Sequence, residues 1–104
     1  MSNLLYNSGK PGAPEVTFEG SNAHLSWAEP RDTGNAPITN YVIEYKAVGD
    51  VRWRGANTGK VCAARSFSVE GLSEGTEYEF RVSAENKAGV GPASAASRSA
   101  KFGE

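Results

Sequence analysis

The sequence predicts an all-β domain, a seven-stranded antiparallel Greek-key sandwich, and three observations predict it. Between Glu70 and Pro92 apolar and polar residues alternate almost without error, with Tyr78, Phe80, Val82 and Ala84 set against Glu79, Arg81, Ser83 and Glu85. That two-residue period belongs to a long strand with one buried and one wet face. Short runs rich in Val, Ile, Phe, Tyr, Trp and Thr recur at intervals of roughly ten residues between Gly, Pro and Asn clusters. No segment carries a sustained helical stripe, and 12 glycines with 5 prolines in 104 residues would interrupt most candidates.

The elements follow in order. Residues 1–10, MSNLLYNSGK, show no period and read as a linker or leader expected to be mobile, which leaves 11–104 for the domain. A first strand is expected near Glu15 to Phe18. A second covers Ala23 to Ala28, with Ala23, Leu25 and Trp27 on one face and His24 and Ser26 on the other. The turn formers of EPRDTGNAP lead into a third, Ile38 to Ala47, where Tyr41, Ile43 and Tyr45 oppose Val42, Glu44 and Lys46. VRWRGA, Val51 to Ala56, alternates as a short edge strand would, and after an Asn57 to Lys60 turn the fifth strand, Ser66 to Val69, presents Phe67 with Val69. The sixth is the long alternating strand. Gly89, Gly91 and Pro92 read as the loop closing it, and Ala93 to Ala100 as a seventh strand whose small residues lie flat on an edge.

Composition narrows the function classes. An apolar fraction of 38% supplies one core, and 11 basic against 12 acidic side chains leave a net charge of -1, so no global field draws the chain to nucleic acid or to a membrane. No apolar run approaches the roughly 20 residues that span a bilayer, and the first residues lack the basic start and long apolar centre of an export signal. Cys62 is the single cysteine, which forbids an intrachain disulfide and a multi-cysteine zinc site, and no Asn-x-Ser/Thr acceptor occurs. These features favour a reducing, cytoplasmic setting, with an extracellular one as the alternative.

Pro14 ahead of the first strand, Trp27 on the second, the Tyr41, Ile43, Tyr45 series, Leu72 with Gly75, and Tyr78 within TEYEFRVSAEN together resemble a fibronectin type III domain, an immunoglobulin-like sandwich. The resemblance runs from about Pro11 to Lys101. PGAPEVT, APITNYVIEYK and EGTEYEFRVSAENKAGVGPAS are most similar to the modules of giant muscle proteins of the titin, twitchin and myosin-binding protein C type. It implies that Tyr78 turns its hydroxyl back to upstream backbone. It further implies a noncatalytic structural and protein-binding module, a spacer in a tandem array of the sarcomere, with neighbouring modules and thick-filament components such as myosin as partners.

The candidates for chemistry are few. His24, the one histidine, falls on a solvent face with no Asp or Cys expected near it, and Cys62 reads as a small apolar filler or an inert thiol. Glu74, Glu77, Glu79 and Glu85 make neither a paired-carboxylate site nor a regular calcium loop. NKAGVGP joins two strands and opens no helix, so it is no phosphate cradle, and Arg-Gly-Asp is absent. No catalytic, metal or cofactor site is expected. The docking candidates are Arg52, Trp53 and Arg54, an indole between two guanidiniums suited to an acidic partner, or Trp53 instead covering the sheet. For an extracellular adhesion or receptor module, the contacts would be the loops Arg31 to Ala36 and Asn86 to Gly91, with Arg31, Asp32 and Lys87.

Overall fold

A computed structural model describes residues 4–98 and 100–101 of the chain. Its strands are β1 (Glu15–Glu19), β2 (Asn22–Ser26), β3 (Asn40–Ala47), β4 (Arg54–Gly55), β5 (Ser66–Val69), β6 (Glu77–Asn86), β7 (Gly89–Ala93) and β8 (Ala100–Lys101). One sheet has the order β1-β2-β5 and the other β4-β3-β6-β7, with β8 also paired to β6, and every pairing is antiparallel. β7 and β8 lie along one edge of β6 and fill a single strand position, so the sandwich has the seven positions expected. The β2–β3, β4–β5 and β5–β6 connections each cross between the sheets.

The period-2 patterns decide which faces meet. Leu25, Trp27 and Val69 from one sheet pack against Tyr41, Ile43, Tyr78, Phe80, Val82 and Ala84 from the other. Phe80, Val82, Ala84 and Ile43 are fully buried. Trp27 meets Tyr41 edge to face with centroids 5.3 Å apart, a geometry aromatic quadrupoles favour. At the start of β6, the Tyr78 hydroxyl accepts the Ser73 amide at 2.9 Å, so the hydroxyl does turn back to upstream backbone.

The edges depart from expectation. The fourth strand shrinks to Arg54–Gly55, and Val51 is 98% exposed. Trp53 is drawn over the outer face of β3 and β6 by the cations there, so the Val51–Trp53 alternation never meets the core. Past β4, the buried Asn57 side chain continues the pairing: its Oδ1 accepts the Ile43 amide at 3.0 Å and its Nδ2 donates to the Tyr41 carbonyl at 2.7 Å. The last strand begins at Gly89 because the turn is only Lys87–Ala88, so Gly89, Gly91 and Pro92 lie in the strand. It breaks after Ala93. There Ser94 and Ser97 donate their amides to the Val82 and Phe80 carbonyls, each at 2.7 Å, while their hydroxyls accept the Val82 and Phe80 amides, each at 3.0 Å. Two serines three positions apart thus replace a strand that the register shift would leave unpaired.

The leading segment is not loose where it is described. The Tyr6 amide donates to the Gly34 carbonyl at 3.1 Å and the Gly9 amide to the Asp32 carbonyl at 2.8 Å. Ser8 is 1% exposed, with its hydroxyl donating to the Ala84 carbonyl at 3.3 Å. A lack of period misses this, because the contacts run through backbone and small polar groups and not through an apolar face.

Candidate functional site

The Trp53 region is built on cross-strand charge pairs. Register places Glu44 opposite Arg81 and Lys46 opposite Glu79 on the outer face of β3 and β6. Arg81 Nε lies 2.8 Å from Glu44 Oε1, as expected of cross-strand neighbours, and Lys46 Nζ lies 3.5 Å from Glu79 Oε1. These half-exposed pairs stabilise the fold by about 0.5 kcal/mol each. Trp53 covers them, with the Arg81 guanidinium 4.4 Å and the Lys46 ammonium 5.3 Å from its ring centroid. The indole therefore spends its face on the domain's own cations. Arg52 and Arg54 flank it, both exposed. The three do not share one face: register sets Arg54 opposite Tyr45, toward the Tyr45 and Tyr78 side of the sheet, whereas Trp53 lies over Lys46 and Arg81 on the outer face.

The second group gathers at one end of the sandwich, around the β2–β3 loop and the β6–β7 turn. Arg31 and Lys87 are exposed there. Asp32 is occupied by the fold: its Oδ1 accepts the Gly34 amide at 2.9 Å and the Tyr6 hydroxyl at 3.3 Å. Its charge pushes the Tyr6 phenol above its ordinary pKa. Asn86, which the sequence offers only as the first residue of a partner-contacting loop, is 3% exposed, and its Nδ2 donates to both the Tyr6 and the Thr33 carbonyls at 2.8 Å. The loops assigned to a partner thus already hold residues 4–9 of this chain.

His24 does have neighbours. Its Nδ1 lies 2.6 Å from Ser68 Oγ and its Nε2 3.2 Å from Glu19 Oε1, because β2 pairs with both β1 and β5 and sets Ser68 directly opposite it. The connectivity matches that of a hydrolytic triad, yet the side chains stand 43% and 84% exposed for His24 and Glu19. A flat strand face offers neither converging amides for an oxyanion nor a dry pocket, and acyl transfer draws most of its rate from those. Cys62 is buried, its thiol 3.3 Å from the Ala64 carbonyl, and burial raises its pKa, which suits a filler and not a nucleophile.

Comparison with known proteins decides the family. The fibronectin type III domain model matches residues 9–100. The chain belongs to the fibronectin type III family. Among relatives of this fibronectin type III domain, the striated-muscle M-protein of Gallus gallus is 43% identical over 70 residues, covering 67% of this chain and 5% of that protein. Contactin-4 of Rattus norvegicus is 38% identical over 90 residues, covering 80% of this chain and 9% of that protein. A crystal structure of titin domains A168–A170 superposes with a TM-score of 0.86 at 30% identity, over 94% of this chain and 33% of that one. The domain spans less than a tenth of the two relatives. Its likeness to modules of giant muscle proteins is thereby shown, in sequence and in fold.

Proposed function

We propose that this fibronectin type III domain is a noncatalytic structural and protein-binding module, one of a tandem array in a muscle or cytoskeletal giant protein, where it acts as mechanical spacer and docking surface. The observation that carries the reading is the match to the titin and M-protein modules over most of the chain. As a spacer, the domain resists separation of its end strands through backbone hydrogen bonds, β1 to β2 at one end and β7 and β8 to β6 at the other. Residues 1–10 serve as the connection and 11–104 as the module, itself a monomer whose neighbours along the chain are further modules.

Docking is assigned to Arg52, Trp53 and Arg54. Trp53 is already stacked on Arg81 and Lys46, so it acts as a rigid platform, and the exposed guanidiniums of Arg52 and Arg54, its neighbours in sequence, are left for carboxylates of a protein partner that reaches round the β4 edge. Thick-filament components of the sarcomere, myosin first, are the partners to test, in a cytoplasmic setting; nucleic acid, membrane and cofactors have no part in the reading. Binding to purified myosin fragments is expected to weaken about tenfold in Arg52→Ala with Arg54→Ala, as loss of about 1.4 kcal/mol requires. Unchanged binding in that double variant removes the patch.

The likeness to contactin-4 supports a second reading, an extracellular adhesion or receptor module using Arg31, Asp32 and Lys87 at the loop end. A signal peptide or membrane span in the parent sequence favours that reading, whereas neighbouring immunoglobulin-like modules or a kinase domain without one favour the first.

A further inference from the structure

The end of the sandwich that holds residues 4–9 is shaped for a polypeptide backbone. Two amides of the segment, from Tyr6 and Gly9, donate to loop carbonyls of Gly34 and Asp32, and the Tyr6 carbonyl accepts Asn86 Nδ2. A Cβ at Gly34 would collide with the Tyr6 carbonyl and one at Gly91 with the Ser8 carbonyl, so both glycines permit a close approach that no other residue allows. Asn86 forks between the segment and the β2–β3 loop, at 2.8 Å to each. Side chains take little part: Leu4, Leu5 and Tyr6 are 74%, 44% and 46% exposed, whereas Ser8 alone is enclosed. Residues 4–8 also lie outside the stretch that matches the family, so the occupant is separable from the domain pattern.

We propose that the cleft between the β2–β3 loop and the β6–β7 turn is a binding groove for an extended main chain with a small residue at its centre, occupied in cis by residues 4–9, so that a protein partner reaches these loops only when that segment leaves. The groove reads carbonyls and amides through Gly34, Asp32 and Asn86, and it selects by size at Ser8, where the Ala84 carbonyl takes the hydroxyl. A tether holds the segment at an effective concentration on the order of millimolar, so weak contacts keep it seated, and competition for the site is decided by what else loads the leading segment.

The test uses the full chain. Ser8→Glu puts a side chain too large and charged for the enclosed position, and amide hydrogen exchange reads the result. Tyr6 and Gly9 are expected to lose protection by about tenfold or more, the loss of a net hydrogen bond, while Ile43 and Val82 stay protected and certify the fold. A synthetic peptide of residues 4–10, added at roughly millimolar concentration, should then shift the amide resonances of Gly34, Asn86 and Gly91 in Ser8→Glu and shift them much less in wild type, where the tethered segment competes at a comparable effective concentration and already fills the groove. If Ser8→Glu loses Ile43 protection, Gly91→Ala takes its place in the exchange arm, since Gly91 has no positive φ and the atoms nearest its Cβ all belong to Ser8 of the segment. Tyr6 and Gly9 exchanging in wild type as in a free peptide, or keeping protection in the folded variant, overturns the proposal. So does a released segment with no peptide response.

Discussion

Replacing Asn57 tests how far one side chain can stand in for a strand. Its amide is 6% exposed and serves three backbone groups: the Ile43 N–H at 3.0 Å, the Tyr41 carbonyl at 2.7 Å and the Lys60 carbonyl at 3.3 Å. Asn57→Ala leaves the first two without partners at the middle of β3, and each buried group so stranded costs about 1–3 kcal/mol. Water entering along the exposed Thr58 to Lys60 turn recovers part of that, so a loss of about 2 kcal/mol is expected, a large share of a total of roughly 5–15. Asn57→Asp separates the two contacts, because a carboxylate keeps the acceptor for Ile43 but turns negative charge on two carbonyls. Burial beside those carbonyls raises the introduced carboxyl above its ordinary value of about 3.9. Its protonated form can donate, so the deficit is largest above the raised pKa and shrinks as pH falls through it. Urea unfolding at pH 7 and pH 4 measures both variants, read as a shift in midpoint at constant slope. Asn57→Ala within about 0.5 kcal/mol of wild type, the range of inconsequential surface changes, would refute the reasoning.

Phe80→Ala, at a fully buried ring between Tyr45 and Tyr78, should cost about 3–5 kcal/mol in the same assay, and a loss below about 1 kcal/mol would deny the shared core. Tyr78→Phe removes only the acceptor for the Ser73 amide and should cost about 1 kcal/mol, with the fold unchanged by circular dichroism. Burial raises both the Cys62 thiol above 9.0 and, with Glu29 adding to it, the Tyr41 phenol above 10.0. Both groups fold neutral, so their stabilising share is complete below pH 9.0 and is lost as pH rises through the raised values. Thermal midpoints from pH 7 to 11 should therefore fall from about pH 9 upward, and Cys62→Ala should delay the onset.

What was legible in the sequence was whatever period 2 governs. Tyr78, Phe80 and Val82 bury together, Glu44 faces Arg81, and β2, β3, β5 and β6 fall where alternation put them. What escaped were positions where a side chain does a main-chain job. Asn57, Ser94, Ser97, Asn86 and Ser8 sit in stretches that read as leader, turn or edge, and beside any local contacts each satisfies a group that lies 12 to 80 residues away. No local pattern reports such a pairing. Trp53 lies between the two cases: its flanking arginines marked the surface, but the cations beneath its ring come from β3 and β6, so only the assembled sheet shows which way it faces.

Those side-chain pairings have a consequence beyond stability. On the five-stranded sheet β3 and β6 meet side-chain hydrogen bonds where β4 stops and where β7 breaks, so neither edge offers open amides and carbonyls at those points. An open edge is a template for another chain, and in the tandem array proposed for this domain the local concentration of similar edges would be high. Asn57→Ala should accordingly associate more than its stability loss alone explains. The comparison is with Phe80→Ala, which opens a cavity and no edge, each held at a urea concentration giving equal fractions unfolded. Light scattering should then rise faster for Asn57→Ala, since its native state exposes the Ile43 amide and the Tyr41 carbonyl together. Equal scattering at matched unfolding would mean that the unfolded chain and not the β3 edge governs association, and Asn57 would then act on stability alone.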